Sequence, residues 1–247
     1  MTHLLKRHPL PIKTFLRRSL VLAYSVPAEV LEPLLHPGLE LDTFEGYGFF
    51  VVAMVQSERL RPSFMPRALG TSFFLAGYRL FTRYRTLAGK HLRGLQVLGS
   101  ETDRPLMMRV GNVLTHYAYR LTEADFTVHS DTVDVVLRRD GRVTLDVSAK
   151  LDEPALPPGS IFSSAKEARR FEGPMPFTFD YEKETDSILR VEGVRSAWDP
   201  KLVSVTVRTP PAFADYGVPA EAPRLASAFY LEALPYRWKR GIVERLP

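Results

Sequence analysis

The sequence predicts a single, mainly β domain whose antiparallel strands form a closed or nearly closed barrel. Three observations lead to this prediction. Apolar and polar residues alternate with a period of two along most of the chain, which is typical of strands. Turn signals, rather than long helices, join these segments. About ten to twelve such segments occur, and a sheet of that size protects its edges by closing. No repeat or composition shift divides the 247 residues, so we expect residues 1–247 to form one domain.

The predicted elements follow from this alternation and from the turn residues between segments. The clearest hairpin has Asp140-Gly141 as its turn, because glycine and aspartate accept the positive φ that two-residue loops need. A second hairpin is expected at Glu45-Gly46. We expect short helices at 28–35 and 163–171, while 225–234 is ambiguous between helix and strand. The expected strands are 20–24, 39–44, 47–56, 73–85, 92–100, 106–121, 126–137, 143–149, 177–180, 188–194 and 202–207.

Several kinds of chemistry are disfavoured by the residues present. The chain has no cysteine, which excludes thiol catalysis, disulfides and cysteine-based metal sites. Its six histidines lack metal-ligand spacing. There is no phosphate-binding P-loop, dinucleotide glycine fingerprint, His-Glu-x-x-His or Gly-x-Ser-x-Gly. We therefore expect neither a metal nor a cofactor.

The charge composition does not indicate a nucleic-acid partner. The chain has 33 basic and 28 acidic residues, for a net charge of +5, and 25 of the basic residues are arginine. Acidic residues are spread between the basic runs, and no nucleic-acid recognition motif accompanies them. The longest apolar run, 49–55, is far shorter than the ~20 residues of a membrane-spanning helix. With no signal-peptide pattern either, a cytoplasmic protein without membrane or nucleic-acid partners is expected.

The candidate site residues cluster in the middle of the chain. On an extended strand, Asn112 and His116 would share one face. His116 is the candidate catalytic residue, since a histidine titrates near neutral pH and can act as an acid or base. The alternative is that His116 only completes a hydrogen bond in the core or lies on a solvated face. The accompanying candidate binding residues are Arg109, Asn112, Glu101 and Tyr117.

A further candidate binding residue is Arg79. It shares a predicted strand face with Arg83 and Arg85, and such a group is able to hold a carboxylate through two parallel hydrogen bonds. The alternative, favoured by the many charges around it, is an exposed basic face.

Residues 26–46 carry a more specific pattern, in which a short helix ends in Leu34-Leu35-His36-Pro37-Gly38-Leu39 and a hairpin follows. This stretch resembles the opening motif of an uncharacterised bacterial family in the acetoacetate decarboxylase-like superfamily. Residues 177–181 and Trp198-Asp199-Pro200 are similar to later parts of such proteins, so the resemblance spans 15–208. It implies a cone-like β-barrel with a central cavity, and a possible homo-oligomer.

The active decarboxylases of that superfamily form a Schiff base between a lysine and the substrate ketone. The matching region here, 111–119, contains no lysine, and Thr115 or His116 stands at that place. The resemblance therefore implies a protein that binds a small oxo- or carboxylate-bearing molecule without this lysine. Acid–base chemistry at His116, aided by Arg109, Asn112 and Glu101, is the accompanying hypothesis from the residues. Two alternatives stay open. One is a non-catalytic binding or structural protein, and the other is a lyase that uses a relocated lysine, such as Lys90, Lys150 or Lys201.

Overall fold

The computed structural model describes residues 2–196 and 198–246, which form two β-sheets and a few short helices. The three α-helices of the described residues are α1 (Ala28–Leu31), α2 (Pro105–Leu114) and α3 (Ala165–Glu172). The strands are β1 (Ile12–Pro27), β2 (Leu39–Leu41), β3 (Tyr47–Pro62), β4 (Thr71–Arg85), β5 (His91–Thr102), β6 (Tyr119–Leu121), β7 (Glu123–His129), β8 (Thr132–Arg139), β9 (Arg142–Lys150), β10 (Phe177–Glu182), β11 (Ser187–Arg195), β12 (Lys201–Leu202), β13 (Ser204–Thr209), β14 (Arg224–Trp238) and β15 (Ile242–Arg245).

Seven strands of the larger sheet form a ring. Their order is β14, β1, β3, β4, β5, β10 and β11, and β11 pairs back to β14 where residues 193–195 meet residues 236–238. The ring confirms the mainly β fold. One detail differs from the prediction, because β5 pairs with β10, and also with β6, in parallel rather than antiparallel.

The smaller sheet has the order β13, β9, β8 and β7, and it covers the outer face of the ring. Alternation places apolar side chains of β8 and β9 on one face, where they share a core with the outward-facing residues of β1 and β3. Burial of each such side chain contributes about 1.5–3 kcal/mol. The fully buried residues at this contact include Leu20, Leu22, Val52, Val133, Val135, Leu137, Leu145 and Val147.

Both predicted turns form, but only Asp140-Gly141 joins two paired strands, because β2 pairs with β4 rather than with β3. Asp140 and Gly141 join β8 to β9 with φ values of 51° and 75°. Glu45 and Gly46 lie between the bridged residues Phe44 and Tyr47, with φ values of 50° and 84°. The ambiguous segment 225–234 is a strand, since it belongs to β14.

The prediction of an extended segment at 106–121 is wrong. Residues Pro105–Leu114 form α2 instead, and only Tyr119–Leu121 is a strand. Pro105 lies in the first turn of this helix, where its fixed φ suits helical geometry and its missing N–H costs nothing. The apolar residues that suggested a strand fall partly on the exposed side of α2. No helix among the described residues is long and apolar enough to cross a membrane.

Candidate functional site

The inner face of the ring encloses a cavity of about 180 Å³. Its walls are mostly apolar side chains of β1, β3, β4, β5 and β14, because alternate residues of each strand point inward. A small number of polar groups interrupts these walls. They include Arg79, Arg195, Glu172, Tyr117, Tyr119, Tyr236 and Trp198. None of the described residues that line this cavity is a lysine.

Arg79 lies on the inward face of β4, between Leu75 and Phe81 in the alternation. Its guanidinium group occupies the space beside Gly77, where a Cβ atom would lie 2.7 Å from Nη2 and 2.8 Å from Nε of Arg79. Burial lowers the pKa of Arg79, and no carboxylate in the described part of the chain forms an ion pair with it. The cavity thus holds a cation without a counter-ion.

Three tyrosines surround this cation. Tyr236, Tyr117 and Tyr119 each act against the lowering of the Arg79 pKa. The ring of Tyr119 packs on Gly111, whose added Cβ would lie 2.5 Å from it. The side chain of Asn112 pairs with the backbone of Tyr119, donating to its carbonyl at 2.9 Å and accepting from its N–H at 2.7 Å. Asn112 therefore positions a residue of the cavity.

Arg195 also lines the cavity and lies between two aromatic rings. Its guanidinium carbon is 4.5 Å from the ring centre of Trp198 and 5.3 Å from that of Tyr236. Nη2 donates a hydrogen bond of 3.0 Å to the carbonyl oxygen of Met175. The indole nitrogen of Trp198 is buried without a hydrogen-bond partner in the described chain. This wall consequently offers a further cation and an unused donor.

Glu172, at the end of α3, brings a carboxyl group to the cavity. The hydroxyl oxygen of Ser227 lies 2.7 and 2.6 Å from its two oxygens. Burial raises the pKa of Glu172 to about 8, although the hydrogen bond to Ser227 acts in the opposite direction. Glu172 is therefore protonated at neutral pH and able to donate a proton into the cavity.

Two of the six predicted site residues, Arg79 and Tyr117, line the cavity. For Arg79, the alternative of an exposed basic face is wrong. Among its predicted neighbours on that face, Arg83 forms an ion pair with Asp42 of 2.6 Å and Arg85 is exposed.

The other four predicted residues do not belong to the cavity lining. Glu101 lies on the opposite face of β5, where it pairs with Arg139 at 2.8 Å and accepts a hydrogen bond of 3.2 Å from Tyr78. Arg109 is exposed on α2, and Asn112 holds Tyr119 as described above. His116 follows α2, with Nε2 buried and unpartnered and its pKa lowered mainly by burial. Asn112 and His116 do not share a strand face, because Asn112 lies within the helix α2 and His116 follows the end of that helix.

Arg195, Glu172 and Tyr236 line the cavity without having been predicted from the sequence. One signal was available for the arginines, because both Arg79 and Arg195 come two residues after a glycine in an apolar strand, in Gly77-Tyr78-Arg79 and Gly193-Val194-Arg195. Glycine at that distance on the same face leaves room for a large neighbouring side chain. Gly193 leaves such room for the hydroxyl group of Tyr236. No group of three metal-binding side chains occurs within the described residues.

Comparison with known proteins agrees with this architecture. Acetoacetate decarboxylase from Legionella pneumophila subsp. pneumophila str. Philadelphia 1 is similar with a TM-score of 0.61 at 14% identity, over 95% of this chain and 87% of that one. The enduracididine biosynthesis enzyme MppR complexed with pyruvate also gives 0.61 at 14% identity, over 95% and 90%. An acetoacetate decarboxylase-like enzyme from Sphingomonas wittichii RW1 gives 0.58 at 15% identity, over 97% and 93%.

The sequence comparisons give the family. No curated protein matches the chain at a significant level. The model of the family DUF2071, described as an uncharacterized conserved protein, matches residues 14–238. At 13–15% identity, the likeness to the solved structures shows the fold alone. The chain belongs to the DUF2071 family and has the acetoacetate decarboxylase-like fold.

Proposed function

We propose that the protein binds a small organic molecule with a carboxylate or oxo group in the cavity, and that Arg79 is its charge partner. The observation that carries this proposal is the half-buried guanidinium group of Arg79, which lines the cavity without a carboxylate partner in the described chain. An unpaired buried charge costs several kcal/mol. A ligand carboxylate would offset this cost, because guanidinium and carboxylate match in two parallel hydrogen bonds.

The size and walls of the cavity support a small ligand. Its volume of about 180 Å³ lies below the roughly 300–1,000 Å³ that is typical of sites for drug-sized molecules. Tyr117, Tyr119 and Tyr236 line the same cavity, and their hydroxyl groups are candidate donors for an oxo group. The similar fold of MppR, which has been observed in complex with pyruvate, supports an oxo acid as the ligand class.

Non-covalent binding fits the residues of the wall better than Schiff-base formation. An imine needs an amine, and none of the described lining residues supplies a lysine side chain. Arginine does not replace it, because a guanidinium group stays protonated and is not a nucleophile at neutral pH.

Acid–base chemistry on the bound ligand is a second candidate function, favoured by Glu172. Its carboxyl group lies in the same cavity as Arg79 and keeps its proton near neutral pH. A protonated carboxyl group is able to donate its proton to an oxo oxygen while water removes a proton from the adjacent carbon, which gives the enol, and Arg79 holds a carboxylate of the same molecule. In this candidate function Glu172, rather than His116, transfers the proton.

Replacing Glu172 with glutamine should change the dissociation constant of an oxo acid by less than about threefold. The same replacement should slow the exchange with D₂O of the protons next to the oxo group of the bound acid more than tenfold. Proton NMR follows this exchange, and equal rates for the two proteins would remove the candidate.

The binding proposal is tested with Arg79→Met and with Arg85→Met as its matched control. Pyruvate and acetoacetate are titrated into each protein by isothermal calorimetry. Arg79→Met should weaken binding at least tenfold, because a hydrogen bond to a charged group is worth about 1.5–3 kcal/mol. Arg85 lies exposed on the same strand, so its replacement should leave the dissociation constant unchanged.

Two results would contradict the proposal. One is equal binding by Arg79→Met and the unaltered protein, and the other is no binding of any oxo acid or carboxylate in a broad panel. The same incubations, treated with borohydride and weighed by intact-mass spectrometry, should give no covalent adduct. A stable adduct would instead support the alternative of a relocated lysine.

A further inference from the structure

A second, open depression lies directly beside the cavity and has a volume of about 530 Å³. Six basic side chains line it, and no acidic side chain does so. We call it the basic groove. Its six cations are Lys13, Arg59, Arg61, Arg67, Arg195 and Arg237.

The positive charge of the basic groove is not neutralised within the described chain. None of its six cations takes part in an ion pair with a carboxylate there. The nearby acid Glu58 is paired with Arg17, at 3.3 Å, on β1. By contrast, Arg93 and Arg208, elsewhere on the molecule, each contact an aspartate. The basic groove is distinguished by bringing together six cations that are unpaired within the described chain, with no acidic side chain in its lining.

The strand register places some of these cations directly opposite one another. Lys13 on β1 is the cross-strand partner of Arg237 on β14 and also of Arg61 on β3. Like charges in opposite positions of neighbouring strands destabilise a sheet. An anion bound between these side chains would be attracted to each of them and would offset their mutual repulsion.

The basic groove and the cavity share two residues, Arg195 and Tyr236, which line both. This common wall is built where β11 meets β14, and Val194 there pairs with Arg237. One ligand is thus able to reach from the cavity into the groove along the Arg195 side chain. Arg195 is the cation that such a ligand would contact in both places.

We infer that the ligand is an organic acid that also carries a phosphate group, with its carboxylate or oxo end at Arg79 and its phosphate in the basic groove. A phosphate monoester carries a charge of about −1.5 to −2 near pH 7 and has three strong acceptor oxygens, so it satisfies several cations at once. Arginine is suited to this task, since its planar group binds phosphate through two hydrogen bonds. The inference rests on the proposed function for the cavity end of the ligand.

The test compares three probes by calorimetry at constant ionic strength: glycerate, 3-phosphoglycerate and inorganic phosphate. The proteins are the unaltered chain, Lys13→Met/Arg237→Met, Arg79→Met, and Arg85→Met as the control. We expect 3-phosphoglycerate to bind the unaltered protein at least tenfold more tightly than glycerate. Lys13→Met/Arg237→Met should abolish this advantage and the binding of inorganic phosphate, while the affinity for glycerate stays the same. Arg79→Met should weaken the binding of glycerate and of 3-phosphoglycerate by a similar factor.

The outcomes separate the two proposals. If glycerate binds through Arg79 and the phosphate adds nothing, the inference about the groove is wrong and the proposed function stands. If the phosphate advantage depends on Lys13 and Arg237 while Arg79→Met has no effect, the proposed function fails instead. Salt-sensitive binding of duplex DNA or of phosphatidylglycerol vesicles, lost in Lys13→Met/Arg237→Met, without preference for 3-phosphoglycerate, would assign the groove to a macromolecule and overturn the inference.

Discussion

Gly94→Ala is expected to lower the free energy of unfolding by about 3 kcal/mol. Gly94 lies on β5 opposite Phe177 of β10, at the one parallel pairing between neighbouring strands of the ring. A Cβ at this position would lie 2.6 Å from Cε2 of Phe179 and 2.9 Å from the carbonyl carbon of Phe177. Because part of the obstacle is backbone, the clash cannot be relieved by a side-chain rotation. The two strands must separate, so the cost lies at the upper end of the ~1–3 kcal/mol seen when a packed interior is overfilled.

Urea unfolding, followed by far-UV circular dichroism, measures this loss. His91→Ala is a suitable control, since His91 is exposed at the start of the same strand and its replacement should change stability by less than about 0.5 kcal/mol. If Gly94→Ala unfolds at the same urea concentration as the unaltered protein, then β5 and β10 do not approach as closely as the ring requires. Gly94→Ala should also weaken ligand binding, because the paired strands β5 and β10 contribute to one wall of the cavity.

The local parts of the fold and the closure of the sheet could be predicted from the sequence, but the strand pairings that produce the closure could not. Turns such as Asp140-Gly141 depend on the φ preferences of two residues, so a short segment contains all the information. The pairing of Gly94 with Phe177 joins distant parts of the chain, and no turn residue marks it. The helix α2 differs from the prediction for a related reason. Its apolar residues suit a strand as well as a helix, and a proline such as Pro105 is compatible with the start of either element.

The candidate site could be predicted only in part. Strand alternation assigns residues to two faces of a strand, but it does not show which face lines the cavity. Arg79 was named from its sequence neighbours, yet the same pattern also fitted an exposed face. In a ring of strands the inner face lines a cavity, so it is neither exposed surface nor packed core. The sequence of a single strand does not distinguish this environment from the other two. Arg195 and Glu172 reach the cavity through the ring closure and the placement of α3, both of which depend on distant contacts.

Asp180→Asn is expected to stabilise the protein increasingly as pH rises from about 4 to 7. Asp180 lies on β10 with 1% of its surface exposed, and neither carboxyl oxygen has a hydrogen-bond partner in the described chain. Burial raises the pKa of Asp180 from its ordinary value of 3.8 to about 7. In this window the folded protein holds a proton that the unfolded chain has lost, so stability falls as pH rises. The difference between the two pKa values corresponds to about 4 kcal/mol above pH 7.

Comparing the unaltered protein with Asp180→Asn separates the contribution of this carboxyl group to stability from those of other buried groups that titrate in a similar pH range. Burial lowers the pKa of His8 to about 4, which makes the protein more stable as pH rises towards 6.5, the opposite direction. Glu172, with a pKa of about 8, changes stability in the same direction as Asp180. Tyr117 and Tyr119, whose pKa values Asp180 helps to raise, stay neutral throughout this range. The pH profile of the unaltered protein is therefore a sum of opposing contributions.

In the difference between the two profiles, the contributions of His8 and Glu172 cancel, because both proteins contain them. Urea unfolding at pH 5, 6, 7 and 8 should show Asp180→Asn gaining on the unaltered protein by about 1.4 kcal/mol for each pH step up to 7, and no further gain above it. A difference that does not change with pH would mean that Asp180 is already ionised at pH 5. Such a result would require a partner for its carboxylate, and the interior beside Tyr117 would then be polar rather than dry.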